Sequence, residues 1–502
     1  MNHHQLYAAY KQLNIKAADL HHSAALLEWD QEVYMPPKSA SFRAGQLATL
    51  ASMAHELLTA DAYGAQLQQL LASNQLSPDE LANVQLSWYD YQKNCKLPSA
   101  FVQELSEQTS RSFHAWISAR KANDFNLFAP ELHKMVELKK QQADLYGFNH
   151  HPYNALLDDY EMGATVHMLD AIFLEVKKEL NPILKSIYAA PQVNDAFLFQ
   201  HFPKSKQWDF SIQVLTDMGY DFDAGRQDYS EHPFTTSFSP TDVRVTTRVS
   251  ENDLSSLLWS SIHEGGHALY EQGLPQDQYG LPLGAAASLG VHESQSRLWE
   301  NGIGRSLNFW QHYYPILQQQ MAPALDAVSL LDFYKAINKV SPSFIRTEAD
   351  EISYHFHVMI RYEIEKGLID GSLSVAHVAD VWNQNYQHYL GITPPNNLVG
   401  VLQDVHWSHG SFGYFPTYSL GSFYAAQFLN QALQTHPNLQ SDIGHGNFTA
   451  LLSWLRQQVH MHGRKFTSNQ LCNNICGKNL DLGPFVKYIK QKYSAIYGLD
   501  SL

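Results

Sequence analysis

The sequence predicts a mainly helical protein with one short stretch of β-structure. Three observations lead there. Apolar residues recur at helical spacing over residues 5–185 and again from Gln272 to the C-terminus. The interruptions, Met35-Pro36-Pro37, Leu76-Ser77-Pro78 and Leu97-Pro98-Ser99, are brief punctuation rather than linkers. One segment alone, residues 241–249, alternates strictly, with Asp242, Arg244, Thr246 and Arg248 on one face and Val243, Val245, Thr247 and Val249 on the other.

Composition bounds the possibilities. A chain of 502 residues, 44% hydrophobic and 17% charged, describes a globular protein with a large core. No repeat or low-complexity tract divides it, so residues 1–502 read as a single helical body. A net charge of −15 without a basic stripe argues against nucleic acid as a partner. Three cysteines make no disulfide framework and suit a reducing compartment. The N-terminus lacks the apolar core of a signal peptide, and no run reaches membrane-spanning length. A cytoplasmic protein with no membrane partner is the expectation.

Taken in order, residues 26–32 form a helix in which acids flank Trp29, read as structural. Ser77-Pro78-Asp79-Glu80 supplies a cap, a first-turn proline and early acids, a helix start. Residues 154–163 read as an acidic, solvated helix end. The alternating strand then leads directly into a helix spanning residues 251–275. Asp253 is its cap, Leu254, Leu257, Leu258 and Ile262 are its apolar face, and Gly273 with Pro275 is its stop. His263 and His267 stand one turn apart on that helix, with Glu264 beside them. This is the H-E-x-x-H spacing, in which two imidazoles hold zinc and the carboxylate acts on water. Gly265 and Gly266 each cost a helix about 1 kcal/mol relative to alanine, which implies another backbone or a substrate passing close.

A hydrolytic zinc needs a third protein ligand and an open position. His292-Glu293, at the start of the next helix, offers both an imidazole and a carboxylate. Further on, Arg346 and Asp350 fall four apart, placing them together if the segment is helical. An arginine held by an acid suits the terminal carboxylate of a peptide. The segment from Gly400 to Tyr418 crowds glycine, His406, Tyr414 and Tyr418 into one loop, a set able to donate to a developing oxyanion. Cys472 and Cys476, four apart, read as a half-buried structural pair.

The ordered series His232-Pro233-Phe234, Asp242-x-Arg244-x-Thr246, His263-Glu264-x-x-His267, His292-Glu293-Ser294-Gln295, Ile345-Arg346-x-x-Ala349-Asp350 and Gly400-x-x-Gln403-Asp404-x-His406-Trp407 resembles the signature set of the carboxypeptidase Taq family of zinc metallocarboxypeptidases. Trp29-Asp30-Gln31-Glu32 near one end and His462-Gly463-Arg464-Lys465-Phe466 near the other carry the likeness along the chain. The resemblance implies an almost wholly helical, saddle-shaped body with a deep groove and a small sheet, related to neurolysin and angiotensin-converting enzyme. It implies one Zn2+ per chain on His263, His267 and Glu293, replaceable by Co2+, with Glu264 as general base. Arg346 would hold the substrate carboxylate, and His406 with Tyr418 or Tyr414 would steady the oxyanion. Asp242 and Arg244 are substrate-side candidates on the strand ending near Arg248, which would align the peptide. The implied partners are peptides with a free C-terminus, shortened one residue at a time with broad specificity, and a second copy of the chain as a homodimer. A zinc oligopeptidase or dipeptidase would share this chemistry; a helical binding scaffold would carry the motif without using it.

Overall fold

The computed structural model describes residues 2–499. It is built mostly of helices, with one three-stranded sheet. The chain forms two compact units, each assembled from three separated stretches. The first comprises residues up to 95, 194–337 and 424–479; the second comprises 96–193, 338–423 and 480 onward. No helix among the described residues is long and apolar enough to cross a membrane.

The first unit opens with the helix His3–Val33, capped by Asn2 and packed along Ala40–Thr59. The helix Pro78–Cys95 starts where its cap residues predict. Ser77 Oγ accepts from the Glu80 amide at 3.3 Å, and Glu80 Oε2 accepts from the Ser77 amide at 2.8 Å. Tyr10 and Val84 from these helices, with Tyr63, Leu67 and Leu70 of the helix Asp61–Leu71, make one core cluster with Leu281.

The sheet belongs to the same unit. Its strands are β1 (Gly225–Tyr229), β2 (Thr235–Ser239) and β3 (Asp242–Thr247), in the order β1-β3-β2. β1 runs parallel to β3, with Gly225 opposite Val243, and β2 runs antiparallel to β3, with Thr235 opposite Val245. Val243 and Val245 are buried on the side packed by the helix Leu254–Glu271, and Asp242 and Arg244 are half-buried opposite. The strongest alternation in the sequence therefore marks the central strand. This corrects the expectation that the strand ending near Arg248 aligns a peptide: both edges of β3 are already paired, and the edge strands are β1 and β2.

The second unit shows the period that predicts it. In the helix Val166–Ala189 the buried positions are Val166, Leu169, Phe173, Val176, Leu180, Ile183, Leu184 and Ile187, and Thr165 caps its start. Truncating any of the large residues to alanine is expected to cost about 2–5 kcal/mol. The helix Tyr354–Asp370 is buried along nearly its whole length, including the charged Arg361 and Glu365. Charges sealed in this way need partners, and these tie the helix to the loop bearing His406.

Candidate metal centre

The H-E-x-x-H helix, Leu254–Glu271, begins at Asp253, whose carboxylate accepts from the Ser255 amide at 2.9 Å. The helix that returns beside it, Leu289–Arg297, begins at Ser288, whose hydroxyl accepts from the Val291 amide. Gly266 permits their approach. A Cβ there would lie 2.7 Å from Ser296 Cα and 2.8 Å from the Gln295 carbonyl oxygen. The close backbone inferred from the paired glycines is thus the second helix. Gly265 instead faces the Leu215 side chain.

That contact brings three donors together. Glu293 Oε2 lies 3.5 Å from His267 Nε2 and 3.7 Å from His263 Nε2, and the three ligand atoms all fall within 4.8 Å of one another. Tetrahedral zinc with arms of about 2.0–2.2 Å sets neighbouring ligand atoms about 3.3–3.6 Å apart, close to the two distances from Glu293 to the imidazoles. The protonation of His267 and Glu293 fits as well, whereas at His263 burial is outweighed by the carboxylates of Glu293 and Glu300, which raise its pKa. Burial lowers the His267 pKa to about 3, leaving a neutral imidazole. Burial pushes Glu293 up, but Arg297, His263 and His267 outweigh it and hold the carboxyl well below its usual range.

A further ring of groups orients these donors. His263 Nδ1 donates to Glu300 Oε2 at 2.9 Å, which leaves Nε2 as the lone-pair nitrogen. Arg297 Nε donates to Glu293 Oε1 at 2.7 Å, and Arg305 donates to Glu300 Oε1 at 3.1 Å. His292 is a neighbour rather than a member of the triad. Its ring stacks on His267 with centroids 4.4 Å apart, and its Nε2 lies 2.9 Å from Glu271 Oε1. Glu264 is buried, and the Thr235 hydroxyl from β2 donates to its Oε2 at 2.7 Å. Burial is the main reason its pKa is raised above the ordinary carboxylate value.

The profile of the carboxypeptidase Taq (M32) metallopeptidase family matches residues 9–493. The chain belongs to that family. It is 39% identical to carboxypeptidase 1 of Bacillus subtilis (strain 168), covering 95% of both chains. The solved structure of CHT superposes with a TM-score of 0.96 at 56% identity, covering 99% of this chain and 100% of that one. The M32 carboxypeptidase of Deinococcus radiodurans R1 superposes at 0.97 with 38% identity and the same coverage. This M32 protein is accordingly a metallocarboxypeptidase, a peptide hydrolase that uses a divalent metal, typically zinc.

The other residues singled out in the M32 sequence form two separate groups. On the sheet, Arg244 donates to both oxygens of Asp242 at 2.9 Å, and its guanidinium lies over the rings of Trp29 and Phe238. In the second unit, Arg346, His406 and Tyr418 are neighbours. His406 Nε2 lies 3.1 Å from the Tyr418 hydroxyl, and the Arg346 guanidinium stands 4.7 Å from the Tyr418 ring centre. Tyr414 stacks edge-on against His406. Burial is the main reason the His406 pKa falls to about 3, with Arg346 next.

The acid beside Arg346 is Asp404, not Asp350. Residues 346–348 form a single 3-10 turn and Ala349 is extended, so a four-residue spacing does not bring 346 and 350 onto one face. Asp350 instead accepts from the Ile352 and Ser353 amides in the turn that precedes the helix Tyr354–Asp370. Asp404 accepts from Arg346 Nε at 3.0 Å and from Arg361 Nε at 2.7 Å. Although burial raises its pKa, the two guanidinium groups hold it well below the usual range. Glu300, Thr235 and Arg361 escaped the sequence reading altogether. Glu300 had one available signal, an acid two turns beyond Glu293. Cys472 is buried, Cys476 is partly so, and neither belongs to a metal cluster among the described residues.

Proposed function

We propose that His263, His267 and Glu293 hold one zinc ion per chain, that cobalt can replace it, and that Glu264 is the general base of C-terminal peptide hydrolysis. The convergence of two imidazole nitrogens and one carboxylate oxygen within 4.8 Å of one another carries this reading. When bound, the ion supplies Lewis acidity toward the scissile carbonyl and toward water. The remaining work falls to the chain. The Thr235 hydroxyl fixes Glu264 Oε2, so Oε1 takes the proton of the attacking water and passes it to the departing amine. A pKa raised by burial makes that carboxylate a better base than a solvated one.

Arg346 is proposed to hold the substrate's terminal carboxylate. Two buried guanidinium groups, Arg346 and Arg361, share the single carboxylate of Asp404, so a second anion suits the site electrostatically. His406 and Tyr418, with Tyr414 beside them, are proposed as oxyanion donors. Asp242 and Arg244, closed on each other, would border the peptide as a neutral pair. Alignment of an extended substrate is assigned to β2. A cavity of about 520 Å³ lies against this strand, lined by Thr235, Thr236, Ser237, His21, His22 and Glu271. The proposal extends to broad specificity at the released residue, a cytoplasmic location suited to three free cysteines, and a homodimer.

The deciding experiment digests one peptide and its C-terminally amidated twin, with mass readout over time. Stepwise loss of single residues from the free acid alone is expected. Internal cuts, or equal cleavage of both peptides, would favour an oligopeptidase.

A further inference from the structure

Glu365 lies in the middle of a buried helix, in no recognised motif, and is fully buried. Three donors from two different segments converge on its carboxylate. Trp407 Nε1 donates to Oε1 at 2.8 Å, the Gly413 amide donates to Oε2 at 2.8 Å, and the Tyr153 hydroxyl also donates to Oε2. Buried Lys139, on the helix Ala129–Tyr146, adds a compensating positive charge. Trp407 follows His406 and Gly413 precedes Tyr414, so one carboxylate ties down both ends of the turn between them.

The helix Tyr354–Asp370 supplies the other anchors of this segment. Tyr354, Arg361 and Glu365 are spaced by seven and then four residues, which returns each nearly to the same face. Tyr354 meets Arg346, Arg361 holds Asp404, and Glu365 holds Trp407 and Gly413. The loop leaves little slack at its far end: Gly413 adopts φ of +99°, and a Cβ there would lie 2.7 Å from the Leu156 carbonyl oxygen.

We infer that Glu365 is a positioning residue of the peptidase reaction, setting His406 and Tyr418 by clamping the 407–413 turn. The inference rests on the oxyanion role proposed above for those two residues. A glutamine at this position cannot reproduce the clamp. Its amide nitrogen would face either the Trp407 N–H or the Gly413 N–H, leaving a buried donor unpaired.

The test measures kcat and KM of the zinc-loaded full-length protein on a free-acid peptide, with zinc content and thermal melting recorded for each variant. Glu365→Gln is expected to lower kcat about 10–100-fold, the scale of a small misplacement of catalytic groups, with KM and zinc content nearly unchanged. In a His406→Ala background the same substitution should cost less kcat than it does in the wild type, because only Tyr418 is then left to misplace. Trp407→Phe removes one of the clamping bonds from the opposite side and should follow the same pattern, which covers the case of a Glu365 variant that does not fold. An equal loss with and without His406 would overturn the inference, as would a wild-type kcat or a loss confined to KM or zinc content. If His406→Ala by itself leaves kcat intact, the oxyanion assignment fails, and the positioning role built on it fails with it.

Discussion

Gly266→Ala probes the contact that assembles the metal centre. The added methyl carbon would sit 2.7 Å from Ser296 Cα and 2.8 Å from the Gln295 carbonyl oxygen, both on the backbone of the facing helix. Carbon atoms rest about 3.5–4.0 Å apart, so the two helices must separate by about 1 Å. Overpacking of this kind costs about 1–3 kcal/mol, and the better helix propensity of alanine returns about 1 kcal/mol. The change in global stability is therefore small. The change at the metal is not. Glu293 lies one turn before Ser296, and a displacement of about 1 Å far exceeds the ~0.2 Å tolerance of ligand distances. Zinc affinity should fall about 10–100-fold, the range seen when groups supporting a metal site are lost. Competition against a chromophoric chelator measures this directly, with apoprotein melting as the stability control. Gly265→Ala is the matched comparison: its methyl would meet a terminal carbon of Leu215, a side chain that can rotate aside, so zinc affinity should hold. Wild-type affinity in Gly266→Ala, or equal losses in both variants, would refute the reasoning.

Three further outcomes are expected. Glu264→Gln should retain zinc by elemental analysis and lose nearly all turnover; substantial activity in the loaded variant would remove the base assignment. Glu300→Ala deprives His263 Nδ1 of its acceptor and should weaken zinc about 10–100-fold in the same chelator competition. Asp404→Asn leaves two buried guanidinium groups without their carboxylate and should cost about 3–5 kcal/mol in denaturant unfolding. The pH dependence has a definite sign. A folded-state pKa held below the unfolded value of about 3.9 contributes stability that is full above that pH and is lost as pH falls through the folded value. The gap between wild type and Asp404→Asn should therefore persist from neutral pH to about pH 4 and narrow only below it.

Local patterns survived translation into structure where a single element contains them. The caps at Asp253 and Ser77, the alternation of β3 from Asp242 to Val245 and the one-turn spacing of His263 and His267 depend only on neighbours in sequence, whereas Thr246, placed by the pattern on the polar face, is buried. Glu293 was legible through its motif, whereas Glu300 was not. Two ordinary turns carry the chain from Glu293 to Glu300, but that spacing does not name His263 as its partner, and the stretch Leu298–Gly304 winds as a π-helix. The pairing of Arg346 with Asp350 failed for a related reason: it presumed a helix where the chain makes one 3-10 turn and then extends. Its true partner, Asp404, is joined to it by tertiary packing alone. β2 was obscure because Thr-Thr-Ser-Phe-Ser shows little apolar alternation, yet as an edge strand it presents Thr235 to Glu264.

Anomalous diffraction from crystals of the zinc-loaded protein, recorded on both sides of the zinc edge, tests the centre of this account. One peak is expected per chain, within bonding distance of His263 Nε2, His267 Nε2 and a Glu293 carboxylate oxygen. A peak bound through His292 in place of Glu293, or none between the two helices, would contradict it.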